Sequence, residues 1–314
     1  MNRMDIFYQD KENCKIPVSH LMDNITDPSL IAIDELYGAA DALSIQNSQK
    51  HTRILLALSI VGTLLTIAFL LYDTVELYSV ILACVVFILF LFIIHKIANR
   101  LDCHRKYLEY RVLAESLRVQ FFLSISRINA SVIDILPWFI KMGIPWVEDV
   151  LLSLPDVNVG EGQSILDCWV RDQRAYHEDA LRRAETKKRR DERITHIVLF
   201  ITIFAYIGTV IFEFYVYSNP YSEFNTVMIR MLLKIVLGTM SAVTLFTGSY
   251  YGKMALSNRI DDHKRMIALY QKAEDDILRD GETEELLIYL AREFLIENST
   301  WYAYQNNNKP DIVI

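Results

Sequence analysis

The sequence predicts an all-α integral membrane protein built from two repeated transmembrane helical hairpins, four spans in total, and a cytoplasmic helical bundle. Four long apolar runs carry this prediction: Ile54–Tyr72, Leu77–Ile94, Ile194–Tyr217 and about Val227–Tyr251. Each reaches or exceeds the roughly 18 residues that a helix needs to cross hydrocarbon. Only Asp73–Glu76 and Ser218–Thr226 separate the members of each pair, so each pair should form a hairpin with its turn on one side of the membrane.

Basic residues predict the orientation of the hairpins. They gather at the open ends of both hairpins: Lys50, Arg53, Lys96, Arg100, Arg105 and Lys106 around the first, and Lys187–Arg190, Arg193, Lys253, Arg259, Lys264 and Arg265 around the second. Neither predicted turn contains Lys or Arg. Because loops rich in these residues stay in the cytoplasm, we expect a multi-pass protein of the cell inner membrane with both termini cytoplasmic.

Composition and motifs exclude several classes of function. The chain of 314 residues has a net charge of −7 and no basic tail, which argues against nucleic acid as a partner. The four cysteines are far apart and form no C-x-x-C motif, so neither a disulfide framework nor a zinc knuckle is expected. Protease and hydrolase signatures such as H-E-x-x-H and G-x-S-x-G are absent from the sequence, which predicts a protein that is not an enzyme and uses no cofactor.

The first half of the chain reads as an arm, a helix, the first hairpin and another helix. Met1–Asp27 is expected to be irregular. A helix should start with Asp27 as N-cap and Pro28 at its first position. After the second span, Asn99–Arg127 contains neither Gly nor Pro, so we expect the helix to continue without a break.

The second half starts with a segment rich in proline and aromatic residues. Within it, Ile133–Ile144 is too short to span a bilayer and should be a buried or interfacial helix. Further elements follow in order: a loop at Gly160 and Gly162, a helix over Gln163–Arg193 that leads into the third span, a helix to about Asp280 after the fourth span, a break at Gly281, a helix over Glu282–Tyr302, and an extended tail over Gln305–Ile314.

The chain also repeats itself. Asn99–Lys106 follows the second span and Asn258–Arg265 follows the fourth, and seven of their eight positions are identical or chemically similar. Two parallel copies of helix, hairpin and helix predict a pseudo-dimer. The predicted domains are therefore an N-terminal arm (1–28), a first repeat (29–130), a connector (131–162), a second repeat (163–280) and a C-terminal helix with a tail (281–314).

Three segments carry a resemblance to a known family: Tyr110–Phe122, Trp169–Gln173 and Glu297–Trp301. Together with the doubled hairpin, they resemble bacterial four-span proteins related to SLATT domains, the SMODS- and SLOG-associating two-transmembrane effectors. The resemblance covers roughly Leu30 to Pro310, and Leu113–Gln120 is its most specific part. It implies a nucleotide-linked conflict system, in which a soluble sensor detects a nucleotide-derived signal and the membrane protein is the toxic effector.

The sequence departs from this pattern at its front, because no sensor domain precedes the spans and no G-x-G-x-x-G loop occurs. Sensing would then come from a partner protein, from a domain outside this sequence, or from the cytoplasmic helices. The expected function is that of an antiviral effector that forms an oligomeric pore or disrupts the membrane. One four-helix unit has no room for a wide pore, so we expect a homo-oligomer. The alternative is a non-conducting anchor or scaffold for a soluble sensor or enzyme.

Charged residues inside the spans are the first group of candidate functional residues, because such residues are costly in hydrocarbon. In one interpretation, Glu213 pairs with either Arg230 or Lys234, and the other basic side chain reaches the headgroups. In the other, Lys234, Gly238 and Ser241 line a water-filled path in an oligomer. Gly238 also forms a small-x-x-x-small pair with Ala242 that suits close helix packing.

A second group of candidates lies outside the spans. Arg111, Glu115 and Arg118 could bind a nucleotide or a sensor, although buried ion pairs within a helical bundle are the preferred interpretation. The repeated motif contributes the junction candidates: Arg100, Asp102, His104, Arg259, Asp261 and His263. The i, i+2 spacing puts Asp and His on different helix faces, so we expect a polar junction near the headgroups and no metal. Four tryptophans should serve as core or interfacial anchors: Trp138, Trp146, Trp169 and Trp301.

Overall fold

The computed structural model describes residues 2–14, 16–22, 25–75, 79–126, 128, 130–155, 164–219, 226–254 and 256–307. Within these ranges the chain is helical and contains no strand. The helices are α1 (Arg3–Glu12), α2 (Pro28–Val75), α3 (Val80–Leu101), α4 (Cys103–Ile125), α5 (Val132–Ile135), α6 (Trp138–Gly143), α7 (Pro145–Leu152), α8 (Asp172–Ser218), α9 (Thr226–Met254), α10 (Leu256–Asp280) and α11 (Glu284–Asn307), with a π-helical turn at Leu166–Arg171 before α8. The all-α prediction is confirmed, and the helical segments that contain α2, α3, α8 and α9 are long and apolar enough to span a membrane.

The N-terminal segment differs from the prediction of an irregular arm, because residues Arg3–Glu12 form α1. The side chain of Asp5 accepts a hydrogen bond from the N–H of Asn2 at 3.1 Å and so closes the first turn. Phe7 is fully buried, with its ring 5.6 Å from that of Tyr110 and 5.8 Å from that of Trp146. This short polar helix is stabilised by contacts with distant parts of the chain. Its own sequence pattern therefore did not predict a helix.

The start of α2 agrees with the prediction and its end does not. Oδ1 of Asp27 accepts hydrogen bonds from the N–H groups of Ser29, at 2.7 Å, and Leu30, at 3.3 Å. Asp27 therefore caps the helix, and Pro28 occupies its first position, where no N–H is needed. The helix continues through Asp73 to Val75, so most of the predicted first turn is helical. The second apolar helix, α3, starts at Val80.

The helix predicted to run on after the second span is broken at Asp102. This residue has φ +47° and ψ +38°, the left-handed conformation, and it separates α3 from α4. The prediction relied on the absence of Gly and Pro, but aspartate also tolerates this conformation. The equivalent residue in the second half, Asp261, lies inside α10. The two matching motifs therefore differ in backbone conformation.

The remaining elements follow the prediction in order. The connector forms three short helices, α5 to α7, as its prolines require. Gly281 has φ +80° and ends α10, where its N–H donates to the carbonyl of Ile277 at 2.8 Å. Helix α11 continues beyond the predicted end at Tyr302, so Gln305 is helical rather than extended. Gly160, Gly162 and the tail from residue 308 onwards lie outside the described residues.

The chain divides into two compact units. Unit 1 comprises Met1–His51, Asp102–Leu181 and Asp261–Asp311, and unit 2 comprises Thr52–Leu101, Arg182–Ile260 and Ile312–Ile314. Each of these units combines segments that are distant in the sequence. The predicted domains are continuous stretches of the chain, and their boundaries stay predictions.

Unit 1 has a conventional apolar core. Helix α4 runs through it, and Leu113, Leu117, Phe121 and Phe122 of this helix are almost completely buried. The ring of Phe122 stacks on that of Trp169 at 5.0 Å.

Unit 2 has the reverse arrangement, with large apolar side chains on its surface. Leu82 and Phe92 of α3 and Phe204, Ile211 and Phe214 of α8 are all exposed. Water is a poor solvent for such a surface, whereas the hydrocarbon of a bilayer is a good one. The four long apolar helices indicate a multi-pass membrane protein, and their exposed apolar side chains are consistent with contact with a lipid bilayer.

Candidate functional site

A stripe of polar and small residues along α9 is the main candidate site within the apolar helices. Its members recur at helical spacing and so share one face: Arg230, Lys234, Gly238, Ser241 and Thr244. The stripe contains the four α9 residues that the sequence predicted to pair with Glu213 or to line a path, and the structure adds Thr244. Each member contacts a residue of α2 or α8.

The first contact of the stripe joins Arg230 to Glu213 of α8. Nε of Arg230 donates to Oε1 of Glu213 at 2.8 Å, and Nη2 donates to Oε2 at 2.7 Å. The pairing is bidentate, which fixes the geometry of both side chains. This is one of the two pairings that the sequence left open for Glu213.

The second contact was not anticipated. Nζ of Lys234 donates to Oδ2 of Asp73 at 2.8 Å, so its partner in the structure is neither Glu213 nor a headgroup. The sequence analysis placed Asp73 in a turn, whereas the structure places it in the last turn of α2. Both side chains remain largely accessible within the chain, at 57% for Lys234 and 51% for Asp73.

The middle of the stripe packs closely against α2. A Cβ atom added to Gly238 would lie 2.6 Å from Cδ1 of Leu70, so only glycine fits without displacing that side chain. One turn further on, Ala242 is buried. A second close approach occurs between Gly62 of α2 and the ring of Phe246. The small residues of α9 thus allow a tight helix contact, as the small-x-x-x-small pattern predicts.

The C-terminal part of the stripe, Ser241 and Thr244, contacts α8 through hydroxyl groups. The hydroxyls of Ser241 and Tyr206 are 3.2 Å apart, and those of Thr244 and Thr202 are 3.3 Å apart. Each of these two threonine hydroxyls also lies 2.8 Å from a carbonyl oxygen of its own helix, so one of them can donate to its carbonyl while the other donates across to the neighbouring helix. Helix α9 is therefore linked to α8 by polar contacts and to α2 by close packing and an ion pair.

The charged candidates of unit 1 form a buried cluster. Arg111 donates to Asp41 at 2.8 Å and lies 2.6 Å from Glu115, and Arg118 donates to Glu115 at 2.7 Å. Arg118 also donates to the hydroxyl of Tyr37 at 2.6 Å, and its guanidinium lies 5.1 Å from the centre of that ring.

The electrostatics of this cluster favour full ionisation. Burial acts to raise the pKa of Glu115, but the charges of Arg111 and Arg118 outweigh it and lower that pKa below its ordinary value. Burial also raises the pKa of the Tyr37 hydroxyl, which therefore stays protonated. Helix α4 thus contributes three charges that find their partners inside unit 1.

A histidine pair lies next to this cluster. Nδ1 of His177, on α8, is 3.0 Å from Nδ1 of His263, on α10. Burial, with a smaller contribution from the neighbouring His263, lowers the pKa of His177 to about 3, so His177 is neutral near pH 7. The sequence analysis missed His177, because nothing in its local pattern marks it.

The junction candidates lie at separate places. Asp102 contacts Arg105 at 2.5 Å, whereas Nε2 of His104 is 3.3 Å from the carbonyl oxygen of Gln305. Three of the others are exposed on their helices: Arg100, Arg259 and Asp261. In the described part of the chain, no three His, Cys, Asp or Glu side chains come together in a way that could hold a metal ion.

Helix α1 adds a further set of contacts to α4. Glu109 is buried and accepts from Arg3 at 2.8 Å and from Nε1 of Trp146 at 2.9 Å. Burial raises the pKa of Glu109 despite these donors. Asp10 accepts from Lys106 at 2.7 Å and from the hydroxyl of Tyr110 at 2.6 Å. These contacts hold the N-terminal helix against the start of α4.

The chain matches no protein-family model, no curated protein and no solved structure. The resemblance to the SLATT-related effectors therefore stays a prediction that rests on the three quoted segments and the doubled hairpin. Four apolar helices with outward-facing apolar side chains define the class of the protein as multi-pass membrane.

Proposed function

We propose that this chain is the membrane effector of a bacterial antiviral system linked to a nucleotide-derived signal, and that several copies form a pore or disrupt the membrane. The sequence resemblance supports the biological setting. The exposed ion pair between Lys234 and Asp73 supports the mode of action. This pair carries the proposal because its two charges are only half covered within one chain.

The free-energy cost of placing a charge in hydrocarbon supports this mode of action. A lysine or aspartate that faces hydrocarbon costs about 2.5–3.5 kcal/mol at the centre of a span. Lys234 lies two helical turns inside α9, and its accessible surface must therefore contact water, headgroups or another copy of the chain. A pore formed between copies would provide water at this position. Gly238 and Ser241 are engaged by Leu70 and Tyr206, which leaves Lys234 and Asp73 as the residues proposed to face the path.

Unit 1 would supply the trigger in this proposal. The concentration of Lys and Arg at the open ends of both hairpins supports a cytoplasmic position for unit 1 and for both termini. A sensor protein or the nucleotide-derived signal itself would then act on the cytoplasmic helical bundle. The repeated junction motif supports the pseudo-dimer arrangement of the two halves.

The test uses the purified chain in lipid vesicles, with ion flux and reversal potential as the readouts. Lys234→Glu should shift the ion preference towards cations, because it replaces a positive charge in the path by a negative one, while native mass spectrometry shows the same multimer as the wild type. Arg230→Gln is the matched control, since Arg230 lies one turn away on the same face but is held by both oxygens of Glu213. It should leave ion preference unchanged.

A charge swap tests the structural role of the same pair. The double variant Asp73→Lys with Lys234→Asp should recover the assembly of the wild type if either single change disturbs it. A wild type that conducts no ions, or a Lys234→Glu variant whose ion preference equals that of the wild type, contradicts the proposed pore lining. A strict monomer in every mild detergent contradicts both the oligomer and the pore.

The second candidate function is a non-conducting anchor or scaffold for a soluble sensor or enzyme. The internal packing of α9 against α2 and α8 favours it, because these contacts make unit 2 a tightly closed bundle around Gly238 and Gly62. In cells that express the chain with its genomic neighbours, this function predicts no depolarisation and no dye entry during infection. The effector proposal predicts both.

A further inference from the structure

Helix α6 presents an exposed apolar face that the proposed function does not use. Trp138 is 73% exposed and Met142 is 72% exposed, with Phe139 beside them. These positions, i, i+1 and i+4, share one face of the helix. Ile140, by contrast, is buried and fixes α6 to the core of unit 1. The face is therefore held rigidly outward.

Contacts within unit 1 place this face at one particular end of the unit, which we name the junction end. The chain crosses the boundary of unit 1 at four points, His51, Asp102, Leu181 and Asp261, and the junction end is defined by the first two. The rings of His51 and His104 are 4.8 Å apart, which brings two of these crossing points together. The junction end is thus where the chain continues into the apolar helices.

Helix α6 reaches the junction end through the last turns of α11. The ring of Phe139 is 6.2 Å from that of Tyr302. Gln305, one turn after Tyr302, contacts His104 through its carbonyl oxygen at 3.3 Å. Two contacts therefore connect the exposed face of α6 to a residue only three positions after Leu101, the last residue of an apolar helix.

We propose that the α6 face, Trp138, Phe139 and Met142, lies in the headgroup region of the same membrane that the apolar helices cross. Tryptophan and other amphipathic side chains are enriched at this depth. A short helix with one apolar face can bury that face at the boundary between headgroups and acyl chains. His104 follows Leu101 by only three residues, so the chain itself ties this end of unit 1 to an apolar helix.

The opposite end of unit 1 offers a matched control. Leu278 of α10 is 63% exposed, comparable to Met142. It lies 17 residues after Asp261 on one helix, or about 26 Å along the axis at 1.5 Å per residue. An exposed apolar side chain at that distance from the junction end should remain in water.

The test compares fluorescent probes at these two sites in the full-length chain, reconstituted in lipid nanodiscs so that both membrane faces are open to solvent. Met142→Cys and Leu278→Cys are each labelled with an NBD fluorophore in a background that carries Cys14→Ser and Cys168→Ser, because Cys84 and Cys103 are buried. The quenchers are lipids with a nitroxide on the acyl chain and iodide in the buffer.

The proposal predicts that the probe at Met142 loses fluorescence with the nitroxide lipids and is protected from iodide, relative to the probe at Leu278. Equal ratios of lipid to iodide quenching at the two sites would overturn it. Protection of Met142 from both quenchers would also overturn it, because a second copy or another protein would then cover the face. The result does not depend on whether the chain conducts ions.

Discussion

The two units of this chain treat charge and apolar surface in opposite ways. Unit 1 has a buried apolar core and also buries Arg118 and largely covers Glu115, with each charge satisfied by neighbours. Unit 2 exposes large apolar side chains such as Phe204 and Phe214, and its ion pairs lie at the surface. Unit 1 excludes water from a core, whereas the exposed apolar side chains of unit 2 are consistent with contact with a lipid bilayer.

The two units also differ in how accessible their ion pairs are. An arginine or lysine paired with a carboxylate occurs in both units. In the cluster of Arg111, Glu115 and Arg118 in unit 1, the pairs are largely covered and join neighbouring side chains inside the unit. In unit 2 the pair of Lys234 and Asp73 is accessible, so its charges can act on ions or on another copy of the chain.

The largest expected effect is the loss of a buried charge in unit 1. Glu115→Leu would leave Arg111 and Arg118 without their shared carboxylate. Removing one partner of a buried ion pair costs about 3–5 kcal/mol of unfolding free energy. When heated in detergent, the Glu115→Leu variant should therefore lose its monodisperse size-exclusion peak at a much lower temperature than the wild type. An unchanged melting temperature would mean that the cluster is not structurally required.

Two glycines contrast a tightly packed helix position in unit 1 with an open, exposed helix position in unit 2. A Cβ at Gly38, in unit 1, would collide with the backbone oxygen of Ser19 and with Val18, whereas one at Gly208, in unit 2, would meet nothing within 4 Å. Gly38→Ala should cost about 1–3 kcal/mol, the usual penalty for overpacking. Gly208→Ala should be neutral or stabilising by up to about 1 kcal/mol, because alanine favours a helix. Thermal stability in the same assay measures both, and equal effects would contradict the difference in packing.

The histidine pair predicts a pH dependence that is confined to unit 1. The pKa of His177 is lowered from 6.5 to about 3 in the folded chain. Between these values the unfolded chain binds a proton at this position and the folded chain does not, so stability falls as the pH falls. One pH unit in this range is worth about 1.36 kcal/mol.

His177→Gln removes this titration while keeping a group that can bond to His263. Between pH 6.5 and pH 5.5, the melting temperature of the variant should therefore fall less than that of the wild type. Parallel curves for the two proteins would show that His177 is already charged in the folded state.

The smallest expected effect on stability is the removal of an accessible charge in unit 2. Asp73→Asn should cost less than about 1 kcal/mol, the range for exposed ion pairs. The same heating assay in detergent measures it next to Glu115→Leu. If the two variants lose stability equally, the pair of Lys234 and Asp73 is as desolvated as the cluster in unit 1, and the contrast between the units fails.

Local and strongly periodic features were predictable from the sequence. The cap at Asp27 and Pro28, the break at Gly281 and the four apolar helices depend on residue type within a few positions. The left-handed Asp102 was missed because its conformation is not imposed by glycine or proline.

Tertiary contacts account for the other differences. Helix α1 is stabilised by Phe7 and by residues about 100 positions away, which no local pattern encodes. The partner of Lys234 was missed because the predicted apolar run ends at Tyr72, whereas the helix itself continues through Asp73 to Val75. The pairing of His177 with His263 likewise joins distant residues. Charged residues inside a span could thus be identified from the sequence, but their partners required the packing of α9 against α2 and α8.

We propose that the apolar helices of unit 2 cross a membrane and that unit 1 is cytoplasmic, and cysteine accessibility in intact cells tests this proposal most directly. Three single cysteines, introduced at Asn219, Phe204 and Leu278 in the background that carries Cys14→Ser and Cys168→Ser, report the hairpin turn, the apolar surface of α8 and the far end of unit 1. The account predicts that a membrane-impermeant maleimide labels Asn219 in intact cells, labels Leu278 only after permeabilisation, and does not label Phe204 in either state. Labelling of Phe204 from water, or of Leu278 in intact cells, would contradict it.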